Sequence, residues 1–166
     1  MNKMLRYICL AGLVLTALSC GPKKSKAPAL VTRPFPAVEI PALLTEAEER
    51  TEYALLHYWD KFFAASYPSD SLHLNGVALA DMKEQMGVFS TALRQVPPAV
   101  AEQAMVRLFE GLEASPSGAA LLQEMARLVR DFLYDPTSPL RNEECYLPFV
   151  SRLAVSGQVD PARKPG

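Results

Sequence analysis

Three regimes of hydrophobic patterning follow one another along this chain. An apolar run from Tyr7 to Leu18 comes first, behind Lys3 and Arg6. A stretch from Gly21 to Pro41 follows, with prolines at 22, 28, 34, 36 and 41 and no helical period. After Pro41 apolar residues recur at spacings of three and four, which predicts helices separated by proline-bearing breaks. Helix one is expected to open at Thr45, which with Glu48 makes a capping box, and to end before Tyr67-Pro68. Its stripe is Leu56, Trp59 and Phe63, widened by Leu55, Tyr58 and Phe62, so Trp59 should be buried.

The polar stretch Ser69 to Gly76 separates it from helix two, whose face is Leu79, Met82, Met86, Phe89, Leu93 and Val96. Pro97-Pro98 then stops one helix and starts the next, because a first-turn proline lacks only an N–H that has no helical partner anyway. Helix three buries Ala101, Ala104, Met105, Leu108 and Leu112, and Ser115-Pro116 repeats the break. Helix four buries Leu121, Met125, Leu128 and Phe132, with Glu124, Arg127 and Asp131 spaced to pair on its other side. Ser138-Pro139 should cap helix five, which runs to about Val155 and should kink or split at Pro148. No alternating β pattern appears after Pro41, so the expected fold is all-α, a bundle of about five helices with short connections.

The first two regimes assign the N-terminus. A basic start, a short apolar core and the small Ser19 before Cys20 read as a bacterial lipoprotein signal, with Cys20 lipidated. The usual box has Leu three residues before the cysteine, whereas Ala17 stands there here. The alternative is an ordinary signal peptide cut near Ala17 or Ser19. The apolar run is too short for the roughly 17–25 residues of a membrane span. The expected organisation is therefore a signal peptide over 1–19, the lipidated Cys and a Pro/Lys-rich tether over 20–42, a helical domain over 43–156 and a frayed tail over 157–166.

Charge narrows the partners. Of the 17 basic and 18 acidic residues, the signal removes Lys3 and Arg6. The tether then carries four basic residues against Glu39, and residues 43–166 carry 11 basic against 17 acidic, a net of −6. An acidic body argues against nucleic acid, since affinity there comes from neutralising phosphates. The expected attachment is instead a lipid anchor in the cell envelope, on the outer membrane and facing the periplasm.

The chain contains no C-x-x-C, H-E-x-x-H, G-x-S-x-G or phosphate-binding glycine motif, and no metal site or cofactor is expected. With Cys9 in the signal and Cys20 lipidated, Cys145 is the one remaining thiol, and its apolar neighbours make it a core residue before a reactive one. Two segments mix charges with aromatics. They run from Glu48-Glu49-Arg50 to His57-Tyr58-Trp59-Asp60, and from Tyr134 to Glu144. Arg50, His57, Asp60, Asp135, Arg141 and Glu144 could form one polar cleft, or could lock the turn between helices four and five with ion pairs. Either reading requires helix one to meet that turn.

The same residues carry a resemblance. Phe35-Pro36, Ile40-Pro41, Leu44-Thr45, Glu49-Arg50 and His57-Tyr58-Trp59-Asp60, followed by Tyr134-Asp135-Pro136, Ser138-Pro139 and Arg141-Asn142-Glu143-Glu144, resemble a known helical domain of unknown function. That domain precedes the thioredoxin-like domain in lipoproteins of the TlpA-like thiol–disulfide oxidoreductase class from anaerobic Gram-negative bacteria. The resemblance covers nearly all of residues 35–155 and implies an envelope location and a redox neighbourhood. In the family the redox cysteines belong to the thioredoxin-like part. Cys145 stands where the family pattern has an aromatic residue, so the resemblance gives it no catalytic role.

The resulting expectation is a non-catalytic, membrane-tethered helical interaction module that binds a protein or peptide, accessory to thiol redox proteins. The alternatives are a thiol-dependent enzyme acting through Cys145, or a lipoprotein that binds a small ligand near Trp59 and Arg141.

Overall fold

The computed structural model describes residues 32–116 and 118–156; Cys20, most of the expected tether and the expected tail lie outside the described residues. Five long helices and one single-turn helix form the body: α1 (Ala47–Leu56), α2 (Asp60–Phe63), α3 (Leu79–Ala92), α4 (Pro98–Ala114), α5 (Gly118–Leu133) and α6 (Glu143–Val155). Two short strands, β1 (His73–Leu74) and β2 (Val77–Ala78), sit between α2 and α3. The fold is therefore helical, as the spacing predicts, with one small hairpin added.

The helix α4 is the centre of the bundle. It packs most extensively against α6 and also touches α1, α2 and α5, while α3 lies on α5. Leu108, Phe109 and Leu112 of α4 are buried together with Leu121, Leu128 and Leu133 of α5 and Phe149 of α6. The Phe109 and Phe149 rings meet edge to face at 5.4 Å, a contact worth about 0.5–1.5 kcal/mol beyond its area. A second aromatic group closes the other side: Trp59, 3 % exposed, lies edge-on to both Phe35 (5.3 Å) and Phe89 (5.5 Å). At Gly111 a Cβ would lie 2.3 Å from the Phe63 ring, so any side chain there requires that ring to shift.

Helix one is not continuous. It stops at Leu56, passes through a turn at His57–Trp59 and resumes as α2. At the break the bonding tightens from four residues to three, with Tyr58 N–H donating to Leu55 C=O and Asp60 N–H to His57 C=O, both at 3.3 Å. Leu55, Trp59 and Phe62 are all buried, and Tyr58 and Phe63 pack half-buried against the same core. The expected capping box is also absent. Glu46 occupies the cap with no side-chain bond, and Thr45 Oγ1 points to Glu46 Oε1 at 3.4 Å.

The hairpin comes from Asn75-Gly76. Both residues have positive φ, 48° and 78°, and they link strands in the register His73 to Ala78 and Leu74 to Val77. Asn-Gly is the favoured pair for such a two-residue turn. Asn75 is itself buried, donating from Nδ2 to the carbonyls of Phe62 (2.7 Å) and Ala65 (2.9 Å) and accepting from Tyr67 N–H (2.6 Å).

Part of the expected tether belongs to the domain. Arg33 N–H donates to Gly76 C=O at 2.9 Å, and Phe35 packs on Tyr58, Trp59 and Phe62. The packed body thus starts near residue 33, ten residues before the boundary drawn from proline content.

The last helix begins later than Ser138-Pro139. Ser138 Oγ is taken up by Phe132 C=O at 2.6 Å and by Leu140 N–H at 3.2 Å, so it closes the end of α5 instead. Asn142 is the cap, its Oδ1 accepting from Cys145 N–H at 3.2 Å. Pro148 lies inside α6, which runs unsplit from Glu143 to Val155. Pro148 removes one helical hydrogen bond, and Phe149 and Leu153, both beyond it, are buried on a helix that packs closely on α4.

Candidate functional site

The six candidate residues do not make one site. His57 and Asp60 come together, joined by Arg107 of α4. His57 Nδ1 lies 2.6 Å from Asp60 Oδ2, and Arg107 Nη2 lies 3.2 Å from the same oxygen. A carboxylate oxygen that close requires the proton on Nδ1, which donates to Asp60. The approach of Arg107 Nη2 to Nδ1 at 3.4 Å is then a neighbour contact. The Tyr53 ring covers the imidazole at 4.2 Å. These side chains are between about a third and a half exposed, so the group ties the α1–α2 break to α4 without a dry cavity for chemistry.

Arg50 is elsewhere. Its Nη1 donates to Leu44 C=O at 2.9 Å and fastens the incoming segment to α1.

The second group is the turn between α5 and α6. Asp135 Oδ1 accepts from Thr137 N–H (2.8 Å) and Thr137 Oγ1 (2.6 Å). Those bonds, the side-chain one foremost, hold the Asp135 carboxyl below its usual range, and the charges of Arg130 and Arg141 add to the effect. Arg141 itself pairs with Glu143 and lies 5.9 Å from the Tyr134 ring, which stacks on Tyr146 at 4.9 Å. Among the described residues no ion pair joins Arg50 or Arg141 to Asp60, Asp135 or Glu144. The expected lock and the expected single cleft are both replaced by separate local clusters. The reason is reach: Thr137 and Glu143 satisfy Asp135 and Arg141 from within two residues.

Glu144 and Cys145 line a surface cavity of about 410 Å³ over Leu93 and Val96, with Arg94, Glu102 and Asn142 at its rim. Cys145 is 6 % exposed. Burial, and then the charge of Glu144, push its thiol pKa up. A nucleophilic thiol needs a neighbouring cation or base to favour the thiolate, and this one has a carboxylate beside it. The surroundings therefore work against the enzyme reading of Cys145. Among the described residues no three His, Cys, Asp or Glu side chains are grouped to hold a metal ion, and no helix is long and apolar enough to cross a membrane.

Arg107 and Arg33 were not among the candidates read from the sequence. Arg107 lies 47 positions from Asp60, on the polar side of a helix whose pattern reports only its buried face. Arg33 was absorbed into a basic tether, although it stands two residues before the aromatic that docks.

No curated protein matches the chain. A solved structure does: a thioredoxin-like protein from Bacteroides caccae ATCC 43185, determined at 1.90 Å, superposes with a TM-score of 0.67 at 26 % identity. The match covers 80 % of this chain and 44 % of that one, so the chain spans less than half the length of the structure it matches. The resemblance to a helical domain associated with thioredoxin-like proteins is borne out. The family model described as "Domain of unknown function (DUF5106)" matches residues 16–165, and the chain belongs to that family.

Proposed function

We propose that this chain is a non-catalytic helical interaction module of the cell envelope, held to the membrane through a lipid on Cys20, that works beside a thioredoxin-like thiol–disulfide protein. One observation carries the reading: the same fold occurs as less than half of a longer thioredoxin-like protein. The buried, acid-flanked Cys145 supports a binding role over a redox one. The acidic body and the basic segment before it fit an orientation in which the N-terminal side approaches anionic lipid, where each basic residue is worth about 1 kcal/mol.

The test is made in the native host with a tagged full-length chain. Membrane-extracted protein should carry a lipid on Cys20 by mass spectrometry, and Cys20→Ser should release it or leave a precursor. Chemical cross-linking should recover a protein with a thioredoxin-like fold, and the purified chain should not reduce insulin disulfides in dithiothreitol. An unmodified Cys20 removes the anchor, and insulin reduction by the chain alone removes the non-catalytic role. Recovery of no thiol–disulfide protein removes the partnership.

A further inference from the structure

The outward face of α6 departs from the usual plan of a surface helix, in which the side away from the core is charged. Glu143 and Glu144 are exposed in the first turn, and beyond it Arg152 is the one charged residue of the helix, its side chain 43 % exposed. Arg152 turns back toward α4, with Nη1 3.5 Å from Glu110 Oε1. From Leu147 onward the exposed positions are Leu147, Ser151, Ala154 and Val155, which fall on one side of a helix. Leu147 is 58 % and Val155 82 % exposed. The other exposed large apolar residues are Leu43 and Leu72 in loops, Val88 on α3, and Tyr134 just past α5, where its ring stacks on Tyr146.

We infer that this strip, from Leu147 to Val155, is the docking surface for the thioredoxin-like body. The inference rests on the function proposed above and adds the place of contact. In the solved relative more than half of the chain lies outside the matched helical part, so there this fold occurs together with a further body of protein. A strip of two helical turns is smaller than the roughly 800 Å² per partner of a free-standing stable interface. It suffices where the two bodies are held together, as in the relative, where helical part and further body share one chain, because such linkage raises the effective concentration to about millimolar.

The experiment places a photo-cross-linking amino acid at position 147 or 155 of the full chain in its native host, with positions 43 and 72 as controls. Adducts with a thioredoxin-like protein, identified by peptide mass spectrometry, should exceed the controls by about tenfold. With the cross-linker at 151, Leu147→Lys plus Val155→Lys should lower the adduct by about tenfold while Tm stays within about 2 °C, since both residues are exposed. Adducts at 147 and 155 that contain a second copy of the chain, its own residues 157–166, an unrelated protein or nothing would overturn the inference. Thioredoxin-like adducts from 43 or 72 alone would remove this surface and leave the proposed function standing. None from any position removes both.

Discussion

Arg33 and Asn75, 42 positions apart, share one acceptor. Arg33 Nη2 (2.8 Å) and Asn75 Nδ2 (2.7 Å) both donate to Phe62 C=O, and Arg33 Nε donates to the Asn75 carbonyl at 3.0 Å. The guanidinium also lies 4.5 Å from the Tyr67 ring centroid. The end of α2, the hairpin turn and the N-terminal segment therefore meet at a single planar fork.

Arg33→Ala should destabilise the domain by about 1–3 kcal/mol, because hydrogen bonds from a charged donor are worth about that much and Asn75 C=O loses its partner. Arg33→Lys should recover less than half of the loss, since an ammonium cannot serve two carbonyls and a ring in one plane. Urea unfolding followed by Trp59 fluorescence measures both. Equal stability of the alanine variant and the parent would show that the fork holds nothing.

Trp59 is buried, but its indole N–H has no hydrogen-bond partner in the structure. Trp59→Ala should cost about 3–5 kcal/mol through lost packing. Trp59→Phe keeps an aromatic against Phe35 and Phe89 and removes the unpaired donor but leaves a smaller cavity, so it should cost about half as much as the alanine variant. Thermal unfolding by circular dichroism separates the two. A phenylalanine variant as damaged as the alanine one would mean that the ring contacts with Phe35 and Phe89 contribute nothing.

Gly111→Ala sets two effects against each other. Alanine gains up to about 1 kcal/mol of helix propensity, but its methyl would meet the Phe63 ring, which is itself held against Trp59 and Phe62. Overpacking of this kind costs about 1–3 kcal/mol, so a net loss is expected. The double variant Gly111→Ala with Phe63→Leu should recover part of it. An alanine variant more stable than the parent would show that α2 can move away freely.

How much of this was legible in the sequence follows from what each signal can report. The apolar stripes of α3, α4 and α5 give their buried faces because a helix shows its packing in its own spacing. Pro98 placed the start of α4 because a first-turn proline acts locally. The break at His57 was hidden, since six apolar or aromatic residues between 55 and 63 satisfy a helical stripe and a bent one equally well. The hairpin had a local signal, Asn75-Gly76, which the polar surroundings masked. The ion pairs were the least legible. Asp135 and Arg141 look like partners in sequence, yet each is satisfied by a nearer residue, while Asp60 finds Arg107 only through the fold.

That difference can be measured. A double-mutant cycle on Asp60→Asn and Arg107→Gln should give an interaction of about 0.2–1 kcal/mol, the range for a partly exposed pair. The same cycle on Asp135→Asn and Arg141→Gln should be additive within error, because the two act on each other only at a distance. The reverse ranking would restore the lock between α5 and α6.

Stability should fall on the alkaline side. Burial, with a lesser push from Glu84, raises the Tyr58 phenol to about 12, and burial and Glu144 raise the Cys145 thiol. Both folded-state values lie above the unfolded ones, roughly 10 for Tyr and 8.5 for Cys. Their contributions are complete below those unfolded values and are lost as pH rises through the folded ones. Denaturation midpoints at pH 7, 9 and 10.5 should decline in that order, and Cys145→Ala should flatten the first step. A midpoint constant across that range would show that neither group is ionised at a cost.

The fork at Arg33 also decides how the protein bears force. A pull on the chain ahead of Pro34 is taken up first by the bond from Arg33 N–H to Gly76 C=O and by the guanidinium on Phe62 and Asn75. The load enters beside α2 and the hairpin tip, while the contact between α4 and α6 lies off its path. Phe35 follows Arg33 by two residues and covers ring faces of Tyr58, Trp59 and Phe62, so displacement of the segment would open those faces.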